Sequence, residues 1–358
     1  MKIAIRQSGA AIFGIAAFLG VCELLFRLLP VSTATETGYY IDPMILSYPA
    51  HHHWRMATGW DLRNAQTLTS NNLGFVSEHD FFSEQNAIAL VGDSYVEASM
   101  LAVADRPAAQ LERALNGRSK VYAFGAPGTA LLDYAERIRF AHDRLGLREF
   151  VVLLEAGDLR QSLCGSGNIH SQCMNRETLA IETHRVPDAS SLKVIVRRSA
   201  LAQYVFSQLK PDARLLLSQL LNGSTPSHPR EIAQVESKPA AAELPDGVAA
   251  RTKMVSAVAN AFFARVGPAI ASRLVMVVDG ERQGSVNAPG SVNTELSAER
   301  LQFMKIAQAA GATVVDAEKL YAAHAKGSPL SLNVGPYDGH LNRIGVSLVM
   351  RAAAAAML

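Results

Sequence analysis

Two stretches hold residues that can do chemistry together. In Ile88-Ala-Leu-Val-Gly-Asp-Ser-Tyr-Val-Glu97 a short apolar run leads into Gly92, Asp93 and Ser94, and an apolar helical stripe follows. A serine at such a strand-to-helix turn stands at the carboxyl edge of a sheet, beside the N–H groups of a helix start, where a nucleophile would sit. On the triplet alone, Asp93 or Ser94 acting only as a helix cap is the favoured explanation. The balance changes with Tyr337-Asp338-Gly339-His340-Leu341-Asn342-Arg343-Ile344-Gly345 near the other end of the chain. An acid and a histidine two residues apart, just before a final helix, supply a general base and the group that orients it. Ser94, His340 and Asp338 make a candidate triad.

Two further turns end apolar runs in the same way. Ala123-Phe124-Gly125-Ala126-Pro127-Gly128-Thr129-Ala130 opens a helix containing Tyr134, and its glycines let backbone approach a ligand. The N–H of Gly128 is a candidate oxyanion donor, Gly125 a weaker one, and a plain turn with glycine at positive φ is the alternative. Leu154-Glu155-Ala156-Gly157-Asp158-Leu159 follows a third run, with Asp158 either a helix cap or a site carboxylate.

These turns need elements to hold them. Short apolar runs at Ile88–Val91, Lys120–Phe124, Phe150–Leu154, Arg273–Val278 and Thr313–Val315 predict strands, and the spacing between them predicts helices at Ala108–Leu115, Leu131–Leu145, Val248–Val266 and Ala298–Ala310. A last helix is expected from about Arg343 to Leu358. Strands alternating with amphipathic helices imply a parallel sheet covered on both faces, an α/β domain of three α/β/α layers with a flavodoxin-like parallel sheet. Its expected extent is 88–358, interrupted by an insertion at 160–247. The insertion carries Cys164 and Cys173, a helical pattern from Leu192 to Leu221 with Lys193, Arg197 and Arg198, and a Pro/Ser/Ala/Glu-rich linker from Asn222 to Asp246. It is expected to form a lid or partner surface over the carboxyl edge. Residues 31–87 show little periodicity and are expected to pack on this domain, with Ser70-Asn71-Asn72-Leu73-Gly74-Phe75 turning Phe75 onto its edge.

Residues 1–30 address the compartment. Lys2 and Arg6 precede an apolar run from Ala10 to Cys22 that continues past Glu23 to Pro30. The segment is long enough to span a bilayer if Glu23 and Arg27 lie near the far interface, and basic residues ahead of it put the body outside the cytoplasm. The expectation is an uncleaved signal anchor in the bacterial inner membrane with a periplasmic body. A signal peptide cut near Ser32-Thr33-Ala34 is the rival, and a lipoprotein at Cys22 is disfavoured by the bulky Val21 before it. A Cys164–Cys173 disulfide would suit an oxidising compartment, and two free thiols are the alternative.

Composition excludes other classes. With 358 residues, 49% hydrophobic and 18% charged, the chain can bury one substantial core. A net charge of +2, with no basic cluster among aromatics, argues against nucleic acid. His51, His52 and His53 are adjacent and cannot all face one ion, and His79, His142, His170, His184, His228 and His324 show no metal-ligand spacing. No metal or cofactor is expected. Gly125 and Gly128 lack the third glycine and the later acid of a dinucleotide fingerprint.

Gly92-Asp93-Ser94 after a first strand, Gly125 and Gly128 after a second, Gly157-Asp158 after a third and Asp338-Gly339-His340-Leu341-Asn342 near the end occur in the order of the SGNH (GDSL) hydrolase blocks. The chain resembles that superfamily from about Ile88 to Leu358, apart from the insertion. The resemblance implies that Ser94 is the nucleophile, His340 its base and Asp338 the group holding the imidazole tautomer. It further implies an oxyanion hole from the N–H groups of Ser94 and Gly128. The family's third block carries an asparagine as a further oxyanion donor where this chain has Gly157. Loss of one such donor costs about 3 kcal/mol, two to three orders of magnitude in rate, and Asn168 or Gln161 from the insertion are candidate substitutes.

The anchor and this domain together are similar to membrane-attached SGNH proteins of bacterial polysaccharide pathways, including those related to alginate acetylation proteins. The expected function is a serine-dependent esterase or O-acetyltransferase acting on acyl esters of an envelope or exported carbohydrate. The alternative is a weak or inactive SGNH-fold protein that binds glycan or assembles with the polysaccharide machinery. A lipase is a third option, for which the 7% aromatic content gives no support.

Overall fold

Apolar residues on both faces of a strand require cover on both faces, and all five expected strands form, four buried along their apolar runs and the last a partly exposed edge strand. In the computed structural model, which describes residues 2–33, 36–184, 194, 196–209, 247–282, 294–335 and 338–358, they are β1 (Ile88–Gly92), β2 (Val121–Gly125), β3 (Glu149–Leu154), β4 (Leu274–Val278) and β5 (Thr313–Asp316). The expected linker at 222–246, Lys193, His228, Tyr337 and parts of the helical pattern from Leu192 to Leu221 lie outside the described residues.

The strands form one parallel sheet in the order β2-β1-β3-β4-β5. This is the flavodoxin-like arrangement, in which chain direction across the sheet reverses beside the first strand and opens a crevice at the carboxyl edge. Register aligns Gly92 with Gly125 and Val91 with Val152. Side chains alternate between two cores with the period of two that a strand imposes. Ala89, Val91, Phe150 and Val152 join Leu131, Ile138, Val258 and Phe303 on one face, while Ile88, Leu90, Val151 and Leu153 join Leu111, Tyr321, Val349 and Met350 on the other.

The helices of these layers are α1 (Ser94–Glu97), α2 (Pro107–Ala114), α3 (Leu131–Leu145), α4 (Asp158–Gln161), α5 (Val248–Val266), α6 (Thr294–Ala309), α7 (Ala317–Gly327) and α8 (Arg343–Met357). Helix α7 has no counterpart in the sequence expectation. Only its Ala317 and Tyr321 are buried, so it carries no apolar stripe to read. The segment at 31–87 contains strands that its sequence also hid: Gly38–Asp42 pairs with Ile45–Ser47, and His53–Thr58 with Arg63–Thr69. In Arg63–Thr69 only Leu68 is buried, which leaves no alternation. Phe75 is fully buried and packs on Phe81 and Phe124.

The chain divides into two units, one of residues 36–52, 69–187 and 235–358 and the other of 1–35, 53–68 and 188–234. The first holds the sheet and a hairpin of Gln172–Met174 and Ile181–Thr183, joined to the preceding loop by a Cys164–Cys173 disulfide. The second holds the N-terminal helix Lys2–Leu28, the strand segment from His53 to Leu68 and the helical turns from Ala200 to Leu209. Within the N-terminal helix, Gly9–Leu28 is 20 residues of mean hydropathy 2.1 with its apolar side chains exposed. That is long and apolar enough to cross a membrane.

Candidate active site

Ser94 opens α1 directly after β1. Asp93 caps that helix, its Oδ1 accepting the Tyr95 N–H at 2.8 Å. The cap is therefore Asp93, and Ser94 beside it is the first residue of the helix. Ser94 Oγ lies 2.8 Å from His340 Nε2, and His340 Nδ1 lies 2.6 Å from Asp338 Oδ1. The same Oδ1 accepts the His340 backbone N–H at 2.9 Å. That second bond explains the two-residue spacing: an aspartate folds back on the N–H two residues on, which brings its carboxylate to the ring of the same residue.

The loop bearing the pair is fixed at several points. Val334 N–H donates to the His340 carbonyl, Gly335 N–H to the Asp338 carbonyl and Asn342 N–H to the Leu332 carbonyl, all at 2.7–2.9 Å. Asn342 caps α8 with its Oδ1 and donates Nδ2 to the carbonyls of Ser331 and Asn333. Arg282, from the turn after β4, donates Nη1 to the Gly339 carbonyl and to Asn333, and Nη2 to Asp279 at 2.6 Å and to the Tyr95 hydroxyl at 3.1 Å. The Tyr95 ring in turn lies 4.8 Å from the His340 ring.

A second cation lies under the serine turn. Arg137 on α3 is 1% exposed and donates to the carbonyls of Gly92 and Phe124 at 2.6 and 2.7 Å and to Thr129 Oγ1. It thus ties together the carboxyl ends of β1 and β2. Asp93 is buried beside it, and burial raises its carboxyl above the usual range against the pull of the Tyr95 N–H, His340 and Arg137. Glu97 is 1% exposed and accepts the Tyr48 hydroxyl at 2.9 Å, and burial pushes its pKa up to about 7. Asp158 is not aimed at the serine. Its Oδ2 accepts the Tyr134 hydroxyl and the Glu155 N–H, and burial, with Asp93 and Glu155 nearby, holds its carboxyl well above its ordinary value.

A serine after the first strand of a 2-1-3-4-5 sheet, bonded to a histidine whose partner acid stands two residues earlier before the last helix, decides the architecture. It is a three-layer α/β/α architecture of the kind that the resemblance to the SGNH hydrolases implies. No family model matches the chain, and no curated protein matches it. Among solved structures the chain is similar to an alpha/beta hydrolase from the metagenome of Lake Arreo at 11% identity and a TM-score of 0.41, covering 77% of this chain and 98% of that one. It is also similar to a lipase/acylhydrolase from Enterococcus faecalis (11% identity, 76% and 96% covered, TM-score 0.39) and to a carbohydrate acetylesterase family member from Sinorhizobium meliloti (14%, 76% and 99%, TM-score 0.35).

The turns after β2 and β3 flank the serine turn at the carboxyl edge of the sheet. Gly125 lies against α1, and a Cβ there would meet the Glu97 nitrogen at 2.4 Å, so its glycine identity serves the close approach of helix to strand. Gly128 sits at φ +75°, and its carbonyl accepts the Ile169 N–H at 2.7 Å, which brings the disulfide-closed loop beside it. Gly157 donates its N–H to Glu155 Oε2 at 2.6 Å. A side chain at residue 157 would start 2.6 Å from that oxygen and 3.0 Å from Gln161 Nε2. The Gln161 amide therefore borders the space of the missing asparagine, with Nε2 donating to Glu155 and Oε1 accepting Asn168 Nδ2 at 2.6 Å.

A second serine–histidine–aspartate set in the same loop is built differently. Ser166 Oγ lies 3.0 Å from His170 Nε2, and His170 Nδ1 lies 3.3 Å from Asp133 Oδ2. Ser166 donates its proton to the Gln161 carbonyl at 2.8 Å, and Asp133 is committed to Ser171 and to the start of α3. This set ties the loop down. Among the described residues one cluster offers four ligand-type side chains, Cys164, Cys173, Glu182 and His184, and its two sulfurs are bonded to each other. Arg137, Arg282, Asp279 and the Glu155–Gly157 contact are the site features that the sequence reading missed. Their partners are mostly backbone carbonyls or residues far apart in the chain, which leave no spacing to detect.

Proposed function

We propose that the protein is a serine-dependent esterase or O-acyltransferase, with Ser94 as nucleophile, His340 as general base and acid, and Asp338 as the partner that orients it. The observation that carries this reading is the unbroken line from Ser94 Oγ through His340 to Asp338, at 2.8 and 2.6 Å. Ser94 Oγ attacks an ester carbonyl as its proton passes to His340 Nε2. The resulting imidazolium is stabilised by Asp338. The oxyanion is met by the N–H groups of Ser94 and Gly128, with the Gln161–Asn168 amides as the candidate third donor in place of an asparagine at 157. Collapse breaks the C–O bond and returns the proton to the leaving alcohol, leaving acyl-Ser94. Water, or a sugar hydroxyl, then attacks with His340 again taking the proton, and release regenerates Ser94.

The substrate class proposed is an acyl ester, acetyl above all, on an envelope or exported carbohydrate. The domain would face the extracytoplasmic side of the inner membrane, on a helix whose preceding Lys2 and Arg6 favour the cytoplasm. A second reading, a glycan-binding or assembly protein with a weakened site, is favoured by one feature. The Glu155 carboxylate occupies the Gly157 N–H and borders the position of the family's oxyanion donor.

Hydrolysis of a chromogenic acetyl ester by the full chain in detergent separates the two. Replacing Ser94 or His340 by alanine is expected to lower turnover by about 10⁴-fold or more, as loss of a triad member does. A wild-type protein no faster than either variant would leave the binding reading in place.

A further inference from the structure

The loop after β3 carries the disulfide, and its two sulfurs share a surface corner with two other ligand-type side chains. In the hairpin of Gln172–Met174 and Ile181–Thr183, Cys173 stands directly opposite Glu182. Paired residues of an antiparallel ribbon point to one face, and so do residues two apart along a strand. His184, two residues after Glu182, stays with it: its Nε2 lies 3.3 Å from Glu182 Oε2. Cys164 comes in from the preceding loop, its Sγ 3.6 Å from the same Oε2. The ligand atoms of the four residues all lie within 4.8 Å of one another.

Those separations fit one coordination geometry. In a tetrahedral zinc site with Zn–S of ~2.3 Å and Zn–N or Zn–O of ~2.1 Å, neighbouring ligand atoms stand ~1.63 bond lengths apart, or ~3.4 Å for nitrogen and oxygen and ~3.6 Å for sulfur and oxygen. Both of those edges are already in place. The missing edge is the one between the sulfurs, ~3.8 Å in such a site, and it opens when the covalent bond between them is broken. Two thiolates, an imidazole and one carboxylate oxygen suit a borderline-soft divalent ion and not calcium or magnesium.

Bonds other than the disulfide hold these ligands together. Cys164 N–H donates to the Met174 carbonyl and Met174 N–H to the Ser162 carbonyl, both at 2.9 Å, and Arg176 Nε donates to the Cys164 carbonyl at 2.7 Å. His184 N–H donates to the Ser171 carbonyl at 2.9 Å. Asn175 Nδ2 donates to Glu182 Oε1 at 2.7 Å, which leaves Oε2 facing Cys164 and His184. Metal-binding carboxylates are oriented by outer partners of this kind. Cys173 is 1% exposed, whereas the His184 and Glu182 side chains are 55% and 42% exposed, so an ion enters from the histidine side.

We propose that reduction of the Cys164–Cys173 disulfide converts this corner into a zinc site made of Cys164 Sγ, Cys173 Sγ, Glu182 Oε2 and His184 Nε2. The reductant is a dithiol. One of its thiolates attacks the half-buried Cys164 Sγ and the Cys173 sulfur leaves; its second thiol then closes the reductant's own disulfide and releases Cys164. Zinc takes the two cysteines as thiolates, and their two protons pass to water. The ion replaces the lost covalent link, so the loop beside Gly128 is cross-linked in either redox state.

The test is metal uptake by the full chain in detergent, with Cys22→Ser so that the pair are the only cysteines. The disulfide is reduced with a water-soluble phosphine, which is removed without air before cobalt(II), and then zinc, is added. The expected result is one cobalt per reduced chain, with the visible absorption of a tetrahedral ion and a sulfur-to-cobalt charge-transfer band, both displaced by one zinc. The oxidised chain is expected to show neither. Glu182→Gln and His184→Ala, both outside the core, should each weaken zinc by at least the ~10-fold that losing even an outer partner costs. A reduced chain that takes up no zinc, folded or not, overturns the proposal, because the remaining bonds are held to keep the ligands together. Zinc held as tightly by either variant as by the parent chain removes that residue from the ligand set and overturns the four-ligand site.

Discussion

The most informative perturbation is to rebuild at residue 157 the third block that the SGNH resemblance implies. Gly157→Asn alone places a Cβ 2.6 Å from Glu155 Oε2 and 3.0 Å from Gln161 Nε2. Glu155 must then swing away, breaking its 2.6 Å bond from the Gly157 N–H and its bond from Gln161. Lost hydrogen bonds to a charged group cost about 1.5–3 kcal/mol, so the single variant is expected to be less stable and no faster. Combining it with Glu155→Gly clears the space and removes a negative charge that opposes a developing oxyanion. The backbone here accepts asparagine, since residue 157 sits at φ −80°. A restored donor contributes about 3 kcal/mol to the transition state, or about 10²-fold in kcat at 1.36 kcal/mol per decade. The assay is kcat on an acetyl ester, with Ser94→Ala added to each variant to show that the gain passes through the serine. A folded double variant no faster than the wild type would refute the view that this corner limits catalysis, and with it the geometry assigned to the oxyanion hole.

Two further outcomes follow from the buried charges. Arg137→Met removes the donors to the buried Gly92 and Phe124 carbonyls, so unfolding in urea is expected to show a loss of about 1–3 kcal/mol; a near-neutral variant would show that these ties carry no stability. Glu97 has a folded pKa of about 7 against an ordinary 4.5, so the folded state holds a proton that the unfolded chain releases. Its contribution therefore becomes less favourable as pH rises from about 4.5 to about 7, by roughly 3 kcal/mol in all. Glu97→Gln should match the wild type near pH 4 and exceed it in urea midpoint near pH 8, and parallel pH curves would overturn this.

Much of the sheet was legible because its signal is local. Five short apolar runs, four of them buried on both faces, read as strands without knowledge of their neighbours, and the helices at Leu131–Leu145 and Val248–Val266 begin and end where their spacing places them. Helix α7 and the paired strands at 38–69 were hidden because most of their side chains face solvent, so pattern and burial do not coincide.

By itself the sequence determined the chemistry on offer: a serine at a strand end, and an acid two residues before a histidine, a spacing that works because one carboxylate oxygen reaches both the backbone N–H and the ring of His340. Only the tertiary structure decided that these ends meet, 246 residues apart in the chain. It alone decided that Arg137 holds the serine turn, that Arg282 holds the histidine loop, and that Glu155 borders the place of the absent asparagine. Such contacts use carbonyls common to every residue and side chains whose partners are fixed by strand order. No local pattern encodes them, and packing the layers together is what selects them.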